Sequence, residues 1–364
     1  MSKTKLTKGK IIKRIILGVL MAFVVFVAVV FTVNKIKLAQ EFDMLNEAGY
    51  YNPVSVGDYS LNVITSGNPE GKHKIVALSG GGVMNYGLQL TPVTERFEAD
   101  NLIITVDRAG YGLSDDNNNT QTVEQIVSDY RMALKNAGIE GPYVLLPHSI
   151  GGVYATYWVS EYPEEIEGIV FFDGSQITAD FDVPDVPSHA ANMRDMVFCK
   201  LGFYRLGVKH YVFPLVGDRT EEEQEISLAM HLHCGTNYAN SSECELINEN
   251  GRYTFANIKE NDVPKIYVCA GTGFATEEDV LNHVEFMNEQ RVNNGMKPIN
   301  YDRSLIPVTL QQSQKMRDTV IKPYIEKMGN CEMVLLGGDH FIFAQRPNDC
   351  ADVIEQLLEK IDKK

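Results

Sequence analysis

The sequence predicts an α/β protein: a mostly parallel, doubly wound sheet that carries a helical cap insertion and is preceded by one transmembrane helix. Three observations lead to this prediction. Short apolar runs alternate with longer helical patterns over most of the 364 residues, as strands alternate with crossover helices. One interval of about 90 residues interrupts the alternation, which is too long for a single connection. A long uncharged stretch lies near the N-terminus.

The uncharged stretch at residues 15–33 is rich in Val, Ile, Leu and Phe, and it is long enough to cross a bilayer as a helix. A cleaved signal peptide is the alternative, but it would have a shorter apolar core and a small-residue cleavage site, which residues 31–35 do not offer. Most of the basic residues near this stretch precede it. The sequence therefore predicts a single-pass protein of the cell membrane with a cytoplasmic N-terminus and an extracytoplasmic catalytic domain.

The net charge of −15 is distributed unevenly. Residues 1–37 contain eight of the 33 basic residues and no acid, so the remaining chain has 25 basic residues against 48 acidic ones. Such an acidic domain repels phosphate, which excludes nucleic acid as a partner. Contact with a membrane is left to residues 15–33 and to the basic tail at residues 1–14. Residues 34–52 are predicted to form a juxtamembrane stalk.

The core is predicted to comprise residues 53–173 and 263–364. It begins with a hairpin whose arms alternate in hydrophobicity across Gly57 and Asp58. Further strands are predicted at 74–78, 102–106, 143–146, 168–172, 265–269 and 333–336. Helices are predicted at about 87–98, 121–137, 152–161, 277–291, 311–328 and 348–362. Residues 174–262 between them are predicted to roof the carboxyl ends of the strands as a cap, where α/β sheets bind ligands. A separate small domain, unrelated to the site, is the alternative.

The segment Tyr143-Val-Leu-Leu-Pro-His-Ser-Ile-Gly-Gly152 carries the strongest chemical signal. An apolar strand runs into a serine, and two glycines open a helix directly after it. A serine on so sharp a turn is typical of a nucleophile elbow, although Pro147 replaces the usual first glycine. The amide of Ile150 lies where it can stabilise an oxyanion. The alternative is an ordinary turn in which Ser149 caps the helix.

Three other segments are predicted to meet this elbow at the same sheet edge. Leu78-Ser-Gly-Gly-Gly82 follows the first core strand, and its amides can approach a ligand closely, as an oxyanion hole requires. Val106-Asp-Arg-Ala-Gly-Tyr-Gly-Leu-Ser114 follows the next strand, and we interpret Asp107 and Arg108 as structural. Leu335-Leu-Gly-Gly-Asp-His340 ends the last strand and places a histidine within reach of the serine.

The segments LSGGG, DRAGYGLSD, PHSIGG and GGDHFIF, in this order, resemble the α/β-hydrolase superfamily. The resemblance covers about residues 55–173 and 263–362 and does not extend into the predicted cap. It implies a serine nucleophile at Ser149, a general base at His340 and an oxyanion hole formed by Ile150 with Gly81 or Gly82. Serine at position 149 argues against dehalogenases and epoxide hydrolases, which attack with a carboxylate.

The acid of the resulting triad is the open point. In most such hydrolases it follows the strand before the last, but Phe274 occupies the expected position. Asp173 ends the strand after the elbow strand, and some α/β-hydrolases resemble this arrangement. We predict Asp173 as the acid, with Glu277 in reserve. Glu277 can equally be an acid in the first turn of a helix that Thr276 caps.

The predicted function is hydrolysis of carboxylic esters, including lipid-derived ones, by a membrane-anchored serine hydrolase that needs neither cofactor nor metal. A non-catalytic ligand-binding protein and a peptidase or acyltransferase are the alternatives, because the same triad serves several reactions. His231-Leu-His-Cys234 is a weak metal signal, because no second ligand pair of matching spacing occurs. The six cysteines permit disulfides outside the cytoplasm, such as Cys234–Cys244.

Overall fold

The computed structural model describes residues 8–207, 215, 219–293 and 295–363. Its centre is an eight-stranded sheet, in spatial order β1 (Pro53–Ser55), β2 (Ser60–Gly67), β4 (Leu102–Val106), β3 (Lys74–Leu78), β5 (Tyr143–Pro147), β6 (Ile166–Phe172), β7 (Lys265–Cys269) and β8 (Cys331–Leu335). β1 and β2 form the predicted hairpin, and β2 is antiparallel to β4. The remaining neighbours are parallel. The predicted fold class is confirmed.

Both faces of the sheet are covered, and the central strands β3, β4 and β5 are buried along almost their whole length. In β5, Tyr143 and Leu145 belong to one apolar layer and Val144 and Leu146 to the other. Residues of α3 (Val123–Asn136), α4 (Gly151–Glu161) and α12 (Lys322–Met328) complete the first layer. Residues of α2 (Tyr86–Thr94), α13 (Ile342–Gln345) and α14 (Pro347–Asp362) complete the second. Such double coverage is typical of parallel sheets.

The long interval between β6 and β7 is helical. Within the described residues it contains α5 (His189–Lys200), α6 (Tyr204–Gly207), α7 (Glu221–Cys234), α8 (Tyr238–Glu245) and α9 (Ile247–Ala256). Thr220 begins α7 with a capping box to Glu223, as the acidic helix start suggests. We refer to this insertion as the cap.

The first helix, α1 (Lys8–Glu47), is longer than the predicted membrane span. Its most apolar window has a mean hydropathy of 3.0 and no part buried, and it is the one helix of the described residues with the length and composition to cross a membrane. The helix continues without a break through most of the segment that we expected to be a stalk. Leu45 is fully buried in a cluster with Ile226 and Met230 of the cap, so the end of α1 is part of the globular structure.

One predicted helix differs in form. The segment at 311–328 consists of α11 (Ile306–Met316), a π-helical turn (Arg317–Ile321) and α12, while α10 (Glu277–Asn293) precedes them as expected. Periodicity alone does not distinguish one helix from two that are joined by a wider turn, because the residues keep a similar spacing through it.

Candidate functional site

Ser149 lies on a strained turn between β5 and α4. Its φ angle is +51°, in the left-handed region that non-glycine residues avoid at a cost of about 1–2 kcal/mol. The turn is tight: a Cβ on Gly151 would lie 2.4 Å from the Leu78 carbonyl oxygen. Pro147 ends β5 opposite Leu78, which shows that proline is accommodated where a glycine is usual. The arrangement holds the serine at the carboxyl edge of the sheet, next to the start of α4.

His340 and Asp173 are joined by a hydrogen bond. His340 Nδ1 lies 2.7 Å from Asp173 Oδ2, and the other carboxylate oxygen accepts the Ala270 amide at 2.9 Å. Asp173 directly follows β6, and it too has a positive φ, of +44°. Since the carboxylate only accepts, Nδ1 carries the ring proton and Nε2 of a neutral imidazole keeps its lone pair. The structure thus brings together two of the three predicted triad residues directly.

Ser149 lies near the Asp173–His340 pair, because the preceding residue, His148, contacts His340. The His148 and His340 ring centroids are 4.5 Å apart, and His148 Nε2 lies 3.1 Å from the His340 carbonyl oxygen. Among the hydrogen bonds of the described residues, none joins Ser149 Oγ to the His340 ring. Catalytic hydrogen bonds are often formed only when substrate is bound, so this geometry is compatible with a serine–histidine pair.

His148 is a site residue to which the sequence analysis gave no role. It is buried, and burial together with the nearby His340 lowers its pKa well below the ordinary value. The ring is therefore neutral, and its Nε2–H donates to the His340 carbonyl. This bond ties the histidine loop to the elbow, one residue before Ser149. The signal was present in PHSIGG, but a histidine beside a serine does not by itself reveal which backbone it contacts.

Glu277 is at a different place. It is exposed in the first turn of α10, as the alternative interpretation of this residue expects. Thr276 Oγ1 accepts the Asp279 amide at 3.2 Å, and Asp279 Oδ2 accepts the Thr276 amide at 2.8 Å. Phe274, which occupies the usual acid position, is buried. The hydrogen bonds of the described residues connect His340 to Asp173 and not to Glu277.

The glycine loop after β3 approaches the elbow as predicted. A Cβ on Gly80 would lie 3.1 Å from Ser149 Cβ, and one on Gly81 would lie 3.6 Å from Ile150 Cγ2. The Gly82 amide donates to Tyr111 Oη at 3.2 Å. No hydrogen bond of the described residues uses the amides of Gly81 or Ile150. Of the two predicted alternatives, Gly81 therefore has the amide that a ligand can reach without displacing an internal bond.

Arg108 holds this glycine loop in place through two of its backbone carbonyl oxygens. The buried guanidinium donates to the Ser79 carbonyl oxygen at 2.6 Å and to the Gly80 carbonyl oxygen at 3.2 Å. In a trans peptide the carbonyl and the next amide point in opposite directions. Holding the Gly80 oxygen thus directs the Gly81 N–H away from Arg108. The same guanidinium pairs with Glu243 of the cap at 3.0 Å, so the role of Arg108 extends beyond the loop that contains it.

Asp107 shapes the loop that contains Arg108. Its Oδ2 accepts Asn62 Nδ2 at 2.9 Å and the Leu113 amide at 3.2 Å. Burial raises the pKa of Asp107 to about 6. Gly112, at φ +50°, packs so closely that a Cβ would lie 2.1 Å from the same carboxylate oxygen. The contacts of Asp107 are within the core, which agrees with the interpretation of Asp107 as a structural residue.

A cavity of about 260 Å³ lies beside the glycine loop, between Gly82 and the cap. Its lining mixes polar and apolar groups. The side chains that contribute are Met84, Tyr111, Asn192, Tyr204, His231, Thr236, Asn240, Ser241 and Cys244. Burial lowers the pKa of His231, and its Nδ1 contacts the Ser227 carbonyl oxygen at 2.8 Å. The neutral ring thus presents Nε2 as an acceptor.

The His231-Leu-His-Cys234 segment does not converge on one point. His231 contacts Ser227, His233 Nε2 contacts the Leu38 carbonyl oxygen at 2.9 Å, and Cys234 Sγ contacts the Gly110 carbonyl oxygen at 2.7 Å. Within the described ranges, no three His, Cys, Asp or Glu side chains are grouped as metal ligands. All six cysteines are free thiols, so the suggested Cys234–Cys244 bridge is not formed.

Comparison with known proteins agrees with this fold. A sequence model of the family described as serine aminopeptidase, S33, matches residues 70–227. The structure is similar to the Cif epoxide hydrolase from Acinetobacter nosocomialis (TM-score 0.57, 14% identity, 88% of this chain and 95% of that one). It is also similar to the enol-lactonase from Burkholderia xenovorans (TM-score 0.53, 14% identity, 85% of this chain and 100% of that one).

The chain has the α/β-hydrolase fold. Among curated proteins, the chain is similar to the uncharacterized protein YbdG of Bacillus subtilis, with 34% identity over 168 residues. That match covers 46% of the chain and 50% of YbdG, so the chain spans about half the length of this relative.

Proposed function

We propose that this α/β-hydrolase is a membrane-anchored serine hydrolase that cleaves carboxylic esters through an acyl-enzyme on Ser149. The observation that carries the proposal is the 2.7 Å hydrogen bond between Asp173 and His340, at the sheet edge where Ser149 is held in a strained conformation. A carboxylate on Nδ1 fixes the tautomer that leaves Nε2 free to accept a proton, which is the requirement for a general base. Strain at a polar residue in such a place is typical of functional sites.

In the first half-reaction, Ser149 Oγ bonds to the ester carbonyl carbon while its proton passes to His340 Nε2. The developing imidazolium is stabilised by Asp173. When the tetrahedral adduct collapses, the C–O bond to the alcohol breaks and the alcohol leaves with the proton from His340. In the second half-reaction, water gives a proton to His340 and attacks the acyl carbon. The bond between the acyl carbon and Ser149 Oγ then breaks, His340 returns the proton to Oγ, and the carboxylic acid is released.

The amides of Ile150 and Gly81 are assigned to the oxyanion in both half-reactions. Ile150 precedes α4, so the partial positive charge of that helix end adds to its N–H. The Gly81 N–H is directed by the Arg108 contact with the Gly80 oxygen. Loss of one such donor costs roughly 3 kcal/mol of transition-state stabilisation in related enzymes.

A peptidase with the same residues is the second candidate. Two observations favour it: the S33 aminopeptidase family model, and the presence of polar as well as apolar side chains around the cavity beside Gly82. An exclusively apolar pocket would have favoured acyl esters over peptides, and the described cavity does not meet that condition. We retain ester cleavage as the first candidate because an activated ester is chemically the easier acyl donor for the same acyl-enzyme route.

Residues 15–33 are proposed as the anchor, with the N-terminus in the cytoplasm and the enzyme domain outside it. The support is the length and hydropathy of α1 and the basic residues that precede the span.

The experiment compares the unmodified chain with Ser149→Ala in the presence of a fluorophosphonate probe and a panel of p-nitrophenyl esters and aminoacyl coumarin amides. We expect Ser149→Ala to lose covalent labelling and to lower turnover at least 1,000-fold, on the order seen for serine nucleophiles. Ser128→Ala, at an exposed serine on α3, is the matched control. Labelling that persists in a folded Ser149→Ala variant would refute the serine mechanism. Faster turnover of the amides than of the esters would favour the second candidate.

A further inference from the structure

The helix α1 has a long apolar surface that the protein itself does not cover. Its side chains from Ile11 to Val33 include many large hydrophobic groups that are 40–64% exposed. At a rise of about 1.5 Å per residue, residues 15–33 extend over roughly 28 Å, close to the thickness of a bilayer core.

The cap contacts α1 within this apolar stretch and not only beyond it. The Phe203 ring lies 6.2 Å from the Phe26 ring. A Cβ on Gly202 would lie 3.2 Å from the Val30 carbonyl oxygen. Phe26 is seven residues before Val33, so it lies about 10 Å inside the end of the proposed span. A side chain that packs on Phe26 is therefore at the depth of the hydrocarbon.

The cap exposes further apolar side chains around this contact. Phe198 packs on Phe203 with ring centroids 5.6 Å apart, yet it is 51% exposed, and Val197 and Leu206 are 54% and 67% exposed. Exposed apolar groups that cluster in this way usually mark a contact with a partner or a membrane. The cluster continues the uncovered surface of α1, which indicates the same surroundings for both.

The charged side chain of the same segment, Arg205, binds α1 beyond the end of the apolar stretch. Arg205 donates to both carboxylate oxygens of Glu41, at 2.6 and 2.7 Å, and to Asn34 Oδ1 at 3.0 Å. Glu41 is eight residues beyond Val33, about 12 Å above the end of the span. The segment is thus divided at the level where α1 leaves its apolar stretch: aromatic groups lie below this level and the ion pair lies above it.

We propose that residues 197–206 of the cap form a second membrane contact, which inserts Phe198, Phe203 and Leu206 into the hydrocarbon of the leaflet at the C-terminal end of the α1 span. The proposal rests on the proposed anchoring by α1. It assigns the substrate to the lipid phase, because Tyr204 of the inserted segment lines the cavity beside Gly82. An acyl ester of a membrane lipid would reach this cavity laterally, from the bilayer.

Depth-resolved quenching of tryptophan fluorescence tests the contact in the full chain, reconstituted in phosphatidylcholine vesicles that contain brominated lipids. The natural Trp158 is fully buried, so the unmodified chain supplies the background. We expect Phe203→Trp to be quenched at least half as strongly as Phe26→Trp. Tyr253→Trp, at an exposed position of α9, is the control and should show no quenching above background.

The outcomes separate this proposal from the anchoring proposal. Strong quenching of Phe26→Trp with background quenching of Phe203→Trp would leave the anchor standing and overturn the cap insertion. Background quenching of both would refute the anchor and the insertion together. Neither result bears on the serine chemistry, which the fluorophosphonate probe measures independently.

Turnover provides a second readout. Leu206→Glu places a charge at the most exposed apolar position of the segment, where insertion would be unfavourable. We expect it to lower turnover of a long-chain monoacylglycerol in vesicles about tenfold while leaving turnover of water-soluble p-nitrophenyl acetate within twofold. Val292→Glu, at an exposed valine of α10, is the matched control. Equal activity of Leu206→Glu and Val292→Glu on the vesicle substrate would contradict the proposal.

Discussion

The two walls of the candidate site are held in different ways. On the core side, Ser149 and Gly151 are fixed by steric contact: a Cβ on Gly151 would lie 2.4 Å from the Leu78 oxygen. On the cap side, polar contacts join the cap to the loops beside the site, such as the Arg108–Glu243 pair at 3.0 Å and the bond from Asn237 Nδ2 to the Gly110 oxygen at 2.7 Å. Closely packed atoms leave little room for rearrangement, whereas a polar group can exchange one hydrogen-bond partner for another. We infer that the core sets the reaction and that the cap sets which molecule reaches it.

The largest effect is expected on the core side, at Asp173. Asp173→Asn should lower ester turnover by about 10³–10⁴-fold, because the amide no longer holds His340 in the productive tautomer. Glu277→Gln, the reserve acid, should stay within twofold of the unmodified chain. The measurement is the initial rate of p-nitrophenyl ester hydrolysis by folded protein. An Asp173→Asn variant that keeps most of its activity while Glu277→Gln loses it would reverse the assignment.

A smaller effect is expected at the joint between the two walls. Arg108→Met leaves the buried Glu243 carboxylate without its cationic partner, which should destabilise the protein by about 3–5 kcal/mol. It also releases the Gly80 carbonyl, so kcat should fall about 10–100-fold with little change in KM. Thermal unfolding and ester kinetics measure the two effects.

The double variant Arg108→Met with Glu243→Gln distinguishes positioning from a purely structural role. Removal of the unpaired carboxylate should restore much of the stability. It should not restore kcat, because the glycine loop still lacks its donor. Recovery of kcat together with stability would show that Arg108 only stabilises the fold and does not position the glycine loop for catalysis.

The smallest effect is expected at Asp107, which belongs to the core but lies beside the joint. Burial raises its pKa from 3.8 to about 6. The folded state therefore binds this proton more tightly than the unfolded chain does. The corresponding stability is fully present below about pH 4 and is lost as pH rises through 6.

Asp107→Asn cannot ionise and should remove this loss. The measured quantity is the free energy of unfolding of the variant minus that of the unmodified chain. We expect this difference to be about 1–3 kcal/mol larger at pH 7.5 than at pH 4. Urea unfolding at both pH values gives the comparison, and Asp115→Asn in the same loop serves as the control. A stability difference that does not change with pH would contradict the shifted pKa.

Local patterns predicted the elements whose surroundings are uniform. The strands at 74–78 and 102–106 have the predicted bounds, because a parallel strand that is buried on both faces is a continuous apolar run between polar ends. The nucleophile turn was recognisable for a similar reason, since its glycines and its serine are adjacent in the chain. The assignments of Ser149, His340 and Asp173 as catalytic residues stay predictions.

Partnerships between distant side chains were outside the reach of sequence patterns. Arg108 and Glu243 are 135 positions apart, and neither has a neighbour that announces an ion pair. The contact of His148 with the His340 carbonyl depends on how two loops fold over one sheet edge. The same is true of Arg205 and Glu41, whose pairing joins α1 to the cap. Hydrophobic periodicity records which face is buried, but not what lies against it.

The helix α1 runs without a break from the apolar stretch to the α/β domain, so no flexible linker separates the two. A flexible tether would let a domain tumble and sample substrate from solution in every orientation. A helix that runs from Lys8 to Glu47 and packs on the cap at its C-terminal end holds the domain in one orientation relative to the helix. In a bilayer, encounter with substrate would then be a search in two dimensions. The rate would depend on the mole fraction of substrate in the surface, and added inert lipid would dilute it.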